Sequence, residues 1–187
     1  RVQQLLREGK ARVDIGMPYL KYGQPMCFSS AQGEFLRLHD TMLYPSTELQ
    51  DHGYSYDYFS PEFFKSEQVS YDAENGTLEL AGYKALVLFQ NWLTLDGARA
   101  ILGYAKQGMK VVVVDGAAVQ TPYNDGGAAA AADAELAAVM AEIKAQSCVK
   151  TAASADDVYE ALQELGVDPY AKVEENHQLL TQTRQDG

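Results

Sequence analysis

Two short apolar runs joined by one amphipathic segment constrain the fold of this 187-residue chain more than any other feature. The runs are ALVLF, residues 85–89, and VVVV, residues 111–114. Neither run alternates with polar residues, which is typical of parallel strands that are covered by helices on both faces. The segment between them predicts a helix with Thr94 as its N-cap and Gly108 as its stop. This strand–helix–strand unit predicts an α/β fold with a doubly wound, mainly parallel sheet.

The N-terminal half extends the same pattern. RVDIGMPYL, residues 12–20, predicts a strand that follows a first helix. In HGYSYDYFSPEFF, residues 52–64, side chains alternate from Tyr54 to Phe59, and Ser60-Pro61 then has the pattern of a helix start. We interpret this aromatic stretch as a strand, a turn and a helix, with most of its rings in core or interdomain packing. The expected parallel neighbours are residues 13–19, 54–59, 84–89 and 110–115.

The rest of the sequence adds a hairpin, a short strand and two more helices. Asn75-Gly76, between two alternating segments, predicts a hairpin whose two turn residues both take a positive φ. The alanine run that precedes Asp133 favours a helix over a linker. CVKTA, residues 148–152, predicts a short edge strand, and a capped helix follows from Ser154.

The domain organisation follows from where this pattern stops. Residues 1–170 fit one α/β domain, and residues 171–187 are polar, as expected of a tether toward a following domain. Residues 21–45 form a long segment without helical or strand period. Loops of this length usually serve a function or an interface, so we expect this one to contact another domain.

Charge and composition exclude several classes of partner. The formal net charge is -11, whereas nucleic acids and anionic membrane surfaces both require a basic footprint. The longest apolar run is far too short to span a bilayer. The three histidines have no metal-binding spacing, and no cofactor is predicted.

Candidate site residues lie where the apolar strands end, because ligands of doubly wound sheets bind beyond the carboxyl ends of the strands. Gln90, Asn91 and Trp92 follow the first run, and Asp115 follows the second. No glycine-rich phosphate loop or nucleophile elbow accompanies them. An exposed Trp92 would be able to stack on a sugar ring, whereas a partly buried aromatic at a domain edge is the alternative interpretation.

Three aspartates lie in or beside predicted strands, and a pair of them would be needed for general acid–base catalysis. They are Asp14, Asp57 and Asp115. Catalytic carboxylate pairs of glycosidases lie about 5 to 9.5 Å apart, and nothing in the sequence brings any two of these three together. The simpler interpretation is that they cap helices or accept hydrogen bonds from the backbone. Of the three, Asp57 and Asp115 are kept as possible ligand or interdomain contacts.

Several segments, in order, resemble the region that follows the catalytic barrel in large bacterial α-L-rhamnosidase-like enzymes of glycoside hydrolase family 106. They are RVQQLLREGKARVDIGMPY, LQDHGYSYDYFSPEFF, the run from GTLELAGYK to VVVVDG, and the closing LGVDP and TRQDG. The resemblance implies a fold similar to class I glutamine amidotransferases. It implies no amidotransferase reaction, because Gln90, Asn91 and Trp92 occupy the place of the nucleophilic cysteine.

The resemblance also implies a function. The catalytic carboxylates of that family lie in the barrel, so no catalytic residue can be transferred to this chain. The expected role is a non-catalytic accessory domain of a glycan-degrading hydrolase, with the barrel, a β-sandwich and a glycan as possible partners. Two alternatives remain open: a carbohydrate-binding module, and a small-molecule enzyme of flavodoxin-like architecture.

Overall fold

The computed structural model of the chain describes residues 9–20, 44–79, 81–122, 127–174, 181 and 183–185. The first predicted helix and most of the long segment 21–45 lie outside these residues. The strands are β1 Lys10–Arg12, β2 Ile15–Pro18, β3 Tyr56–Phe59, β4 Ser70–Asp72, β5 Thr77–Glu79, β6 Ala85–Leu88, β7 Lys110–Val114, β8 Val149–Ala152 and β9 Thr183–Gln185. The α-helices are α1 Glu48–Asp51, α2 Leu95–Lys106, α3 Gly127–Lys144 and α4 Val158–Glu164, and a 3₁₀ helix spans Pro61–Lys65.

The main sheet has five parallel strands in the order β3-β2-β6-β7-β8. The predicted doubly wound α/β fold is therefore confirmed, and so is the parallel pairing of the four predicted strands. Counted along the chain, the order is second, first, third, fourth and fifth, which is the flavodoxin-like arrangement. As predicted, β8 lies at one edge of the sheet.

Alternate side chains of the two apolar runs pack on opposite faces of the sheet. Leu86 and Val111 contribute to the core under α2 and α3, whereas Val87 and Val112 contribute to the core under α1 and α4. All four side chains are fully buried. Because helices cover both faces, each residue of such a run has to be apolar, which explains why the runs do not alternate.

Two local predictions gave the correct position of an element, but the conformation of each element differs from the expected one. Ser60 caps the segment after β3, as predicted, but Pro61–Lys65 forms a 3₁₀ helix. The hairpin of β4 and β5 is also confirmed. Its turn differs from the expected one, because Gly76 has a positive φ whereas Asn75 does not. The Asp72 carboxylate accepts the Asn75 backbone N–H at 3.1 Å and thereby stabilises the turn without a second left-handed residue.

A second, two-stranded sheet joins residues that are far apart in the sequence. β1 pairs with β9 in antiparallel register, with Lys10 opposite Gln185 and Arg12 opposite Thr183. Arg12 Nε donates to Gln185 Oε1 at 2.7 Å. The chain therefore enters and leaves the five-stranded domain at adjacent positions. Sequence analysis predicted no strand within residues 171–187.

The amino edge of the main sheet is organised around Asp14, which is 1% exposed. Its Oδ2 accepts the Ser55 N–H at 2.9 Å and the Ser55 hydroxyl at 2.7 Å. Its Oδ1 accepts the Tyr170 N–H at 2.5 Å and lies 3.5 Å from Lys84 Nζ. This carboxylate thus connects the starts of β2, β3 and β6 to the segment after α4, as the simpler interpretation of the strand-end aspartates requires.

Replacing Gly53 with alanine is expected to destabilise the protein by about 2–3 kcal/mol. Gly53 follows α1 with a φ of +86°, and an added Cβ would collide with the backbone carbonyl oxygen of Ala171. Denaturant unfolding measures the loss. Gly76→Ala is the matched control, because Gly76 has a φ of +67° and open space around its Cα. The control should lose only about 1 kcal/mol, from backbone strain alone. Equal losses in the two variants would show that the collision contributes nothing.

Candidate functional site

The direction of the strand connections reverses between β2 and β6. From β2 the chain moves to β3 on one side, whereas β6, β7 and β8 follow one another on the other side. In open α/β sheets this reversal produces a crevice at the carboxyl ends of the two central strands, and ligands bind there. Tyr19 and Leu20 follow β2 at this edge, and Phe89 and Gln90 follow β6. The candidate site is therefore this switch point with the adjacent loop after β7.

Gln90 connects the two central strands across the switch point. The Leu20 N–H donates to Gln90 Oε1 at 2.7 Å, and Gln90 Nε2 donates to the Leu20 carbonyl at 3.3 Å. The Gln90 main-chain carbonyl also accepts the Ala118 N–H at 2.8 Å, from the loop after β7. Both ends of the Gln90 amide are thus used within the protein, and its predicted role as a ligand or interdomain contact remains a prediction.

The loop after β7 is held tightly against the loop after β6. The Asn91 carbonyl accepts the N–H groups of Val119 at 2.9 Å and Gln120 at 3.0 Å. Among the described residues, Ala118 is the only non-glycine residue with a positive φ, at 53°. This left-handed conformation costs about 1–2 kcal/mol in an L-residue. The bonds to Gln90 and Asn91 offset that cost and fix the loop in one shape.

Trp92 projects from this tied pair of loops. It forms a parallel bridge with Gln120, and the next residue, Leu93, donates its N–H to the Gln120 carbonyl at 3.0 Å. Leu93 is 2% exposed, and Thr94 is the buried N-cap of α2, whereas Trp92 is 44% exposed. Asn91 is exposed as well. The residue after Trp92 is therefore anchored in the core while the indole remains open to solvent.

The two candidate aspartates lie on different strands, and both are exposed. Asp115 follows β7, and its N–H donates to the Ala152 carbonyl at 2.8 Å. Asp57 lies in β3, an edge strand, beside the Tyr83 hydroxyl. Although the side chain is exposed, partial desolvation by the surrounding residues raises the pKa of the Asp57 carboxyl, and the hydrogen bond from Tyr83 opposes that rise.

Sheet geometry keeps these carboxylates apart. The strands β3 and β7 are separated by β2 and β6, so three strand spacings amount to about 14 Å. Asp14 lies at the opposite, amino edge of the sheet. The longest separation used by glycosidase carboxylate pairs is about 9.5 Å. The arrangement therefore does not supply an acid–base pair from Asp57 and Asp115.

An aromatic cluster lies beneath the switch point on the face covered by α1 and α4. The ring centroids of Tyr19 and Tyr58 are 5.2 Å apart, and those of Tyr44 and Phe89 are 5.4 Å apart. Tyr58 also accepts the Tyr44 N–H on its hydroxyl at 2.9 Å. Burial raises the pKa of Tyr56, which stacks edge-on against Tyr58, to about 12. The cluster therefore provides packing for the alternating aromatics of β3, in agreement with the sequence interpretation.

Sequence reasoning missed Tyr19, Tyr44 and Phe89 as members of this cluster. Tyr19 and Phe89 follow apolar strands directly, which is a usable signal for a position at the carboxyl edge. Tyr44 has no such signal, because it is brought to the edge by contacts such as the bond from its hydroxyl to the Ala155 carbonyl at 2.5 Å.

Two properties of the described residues bear on the class of site. They contain no group of three or more His, Cys, Asp or Glu side chains that is placed to hold a metal ion. Within the same residues, no helix has the length and apolar character needed to cross a membrane. Comparison of the chain with protein-family models, with curated proteins and with solved structures found no match.

Proposed function

We propose that this chain is a non-catalytic accessory α/β domain of a glycan-degrading glycoside hydrolase of the α-L-rhamnosidase-like type. Its role is to pack against the catalytic barrel and the β-sandwich of the parent enzyme. The observation that carries the proposal is the double hydrogen bond between the Gln90 side chain and the Leu20 backbone. At the switch point, where an α/β enzyme of this order would hold its ligand, the principal polar side chain joins β2 to β6 instead.

The pairing of β1 with β9 supports a place within a multidomain protein. Adjacent entry and exit points allow a domain to be carried by a larger fold without distortion of either one. Phe63, on the 3₁₀ helix after β3, and Val119, after β7, are 49% and 51% exposed. These side chains provide apolar contact area for a neighbouring domain.

The isolated chain is expected to hydrolyse neither aryl α-L-rhamnosides nor aryl β-galactosides, and to release no ammonia from glutamine. The physical reason is that Asp57 and Asp115 lie too far apart to act together, and Gln90 is already bonded. Chromogenic and ammonia-release assays at high protein concentration measure this. Asp57→Asn and Asp115→Ala should give the same background as the unaltered chain, because an asparagine at position 57 still offers an acceptor to the Tyr83 hydroxyl and Asp115 is exposed.

Saturable turnover that one of these two substitutions abolishes would contradict the proposal. A cofactor that copurifies in stoichiometric amount would also contradict it, and would favour the flavodoxin-like enzyme. The coding sequence directly before Arg1 provides an independent test, since the proposal requires a catalytic barrel to be encoded in the same reading frame.

A further inference from the structure

Trp92 is a solvent-exposed aromatic residue on a backbone that hydrogen bonds hold in place. Four backbone hydrogen bonds join the loop after β6, residues 89–94, to the loop after β7, residues 115–122. Leu93 and Thr94, the two residues that follow Trp92, are buried. Little backbone entropy of these loops therefore remains to be lost when a ligand stacks on this ring, and such preorganisation favours binding.

The polar groups around Trp92 are uncharged amides. Gln120 is its bridge partner, so the two side chains leave the same side of the paired loops at a spacing of about 5 Å. Asn91, next to Trp92 in the sequence, and Gln120 are both exposed. An amide group both donates and accepts hydrogen bonds, which suits the hydroxyl groups of a sugar.

The same two loops disfavour an anionic ligand. Residues 89–94 and 115–122 contain no lysine, arginine or histidine, and their single charged side chain is the exposed carboxylate of Asp115. A phosphate or a nucleotide would meet no cation in these loops and would be repelled by Asp115. A neutral ligand with an apolar face and a hydroxyl-bearing rim has the complementary chemistry.

We propose that Trp92, flanked by Asn91 and Gln120, is a binding platform for an uncharged sugar ring. The apolar face of the sugar stacks on the indole, and the amides bond to its hydroxyl groups. This inference adds a ligand class to the proposed accessory role. It rests on the proposed function only for the choice of sugars used as probes. An accessory domain that binds no sugar would still satisfy the proposed function, and a sugar-binding chain without a parent barrel would still satisfy this one.

The chain contains one tryptophan, so tryptophan fluorescence, excited selectively over that of the tyrosines, reports on this site alone. The probes are methyl α-L-rhamnoside, methyl β-D-galactoside and cellotetraose, which present different patterns of apolar ring face. Titration with at least one of them is expected to shift the emission saturably and to protect the indole from iodide quenching. Calorimetry then gives the affinity for the unaltered chain and for variants that lack the fluorophore.

Trp92→Ala is expected to reduce the affinity about tenfold or more, and Trp92→Phe to retain part of it. Phe63→Ala is the matched control, because it removes a similarly exposed ring outside the two loops and should leave the affinity unchanged. Circular dichroism verifies that each variant is folded. The proposal is overturned if no probe gives a saturable change or if Trp92→Ala binds as well as the unaltered chain. It is also overturned if the emission shifts with protein concentration alone, which would indicate a second copy on this surface.

Discussion

Raising the pH above 10 is expected to lower the free energy of unfolding by at least about 4 kcal/mol per pH unit. Three tyrosines account for most of this slope: Tyr44, Tyr54 and Tyr83, which are 6%, 2% and 3% exposed. Tyr56, whose pKa burial raises to about 12, steepens it further up to that pH. Burial is the largest cause that raises the pKa of each of them from the ordinary value of 10.0. Above that value the unfolded chain releases three protons that the folded chain keeps, and each contributes about 1.4 kcal/mol per pH unit.

The opposing contribution from lysine is smaller. Burial lowers the pKa of Lys84 from its ordinary value of 10.5, so the folded chain releases that proton more readily than the unfolded chain does. This group therefore adds stability as the pH rises, but it is one group against three, and its contribution ends near pH 10.5. A domain with an ordinary stability of about 5–15 kcal/mol should consequently unfold within a few pH units above 10.

Urea unfolding at a series of pH values from about 8 to 11.5 measures the slope, and tyrosinate absorbance follows ionisation in parallel. Tyr54→Phe provides the matched variant. It loses the bonds from the Tyr54 hydroxyl to the Val167 carbonyl and from Gln163, so it is less stable at neutral pH. Because one titrating group is gone, its slope above pH 10 should be shallower by about 1.4 kcal/mol per pH unit. A free energy of unfolding that stays level up to pH 11, or an unchanged slope in Tyr54→Phe, would refute the account.

The main sheet could be predicted from the sequence because short, continuous segments of sequence indicate its strands and the helix between them. A strand covered on both faces requires consecutive apolar residues, and such runs stand out at 85–88 and 111–114. Residues at both ends of the helix between them mark where it begins and stops. The Thr94 side chain accepts the Gly97 N–H at 3.1 Å, and Gly108 takes a φ of +105°. These signals depend on neighbours within a few residues, and a single sequence contains all of them.

The small sheet of β1 and β9 had no such signal. Each strand has three residues, KAR and TRQ, without alternation of apolar and polar side chains. They pair because the surrounding fold brings together residues 10–12 and 183–185. Long-range pairing of polar strands is decided by tertiary packing, which overrides local propensity.

The candidate site illustrates the same limit. Sequence position correctly indicated that residues 90–92 follow a strand, but it assigned one kind of role to all three. Gln90 bonds to Leu20, seventy residues away in the chain, whereas Trp92 remains 44% exposed. Of neighbouring residues at one strand end, some therefore hold the fold together and others remain exposed to a ligand. Long-range contacts decide which, and no local sequence pattern encodes them.

Asp14→Ala is expected to lower the free energy of unfolding by about 3 kcal/mol. The substitution leaves the Ser55 N–H, the Ser55 hydroxyl and the Tyr170 N–H without their acceptor. It also removes the anion beside Lys84. Losing one partner of a fully buried ion pair costs about 3–5 kcal/mol, and the lower end applies because the Lys84 side chain is 23% exposed.

Denaturant unfolding at neutral pH measures this loss, with Asp115→Ala as the matched control. Asp115 also borders a strand of the sheet, but it is exposed, so its replacement should change the stability by less than about 0.5 kcal/mol.

Lys84→Met separates the two causes, because it removes the cation and keeps most of the apolar stem. Lys84 Nζ also donates to the Asp168 carbonyl at 2.8 Å. If its loss of the carboxylate contributes to the cost, Asp14→Ala should cost less in a Lys84→Met background than in the unaltered chain. If the lost hydrogen bonds account for all of it, the two costs should be equal. A loss in Asp14→Ala no greater than that in Asp115→Ala would show that the amino edge does not depend on this carboxylate.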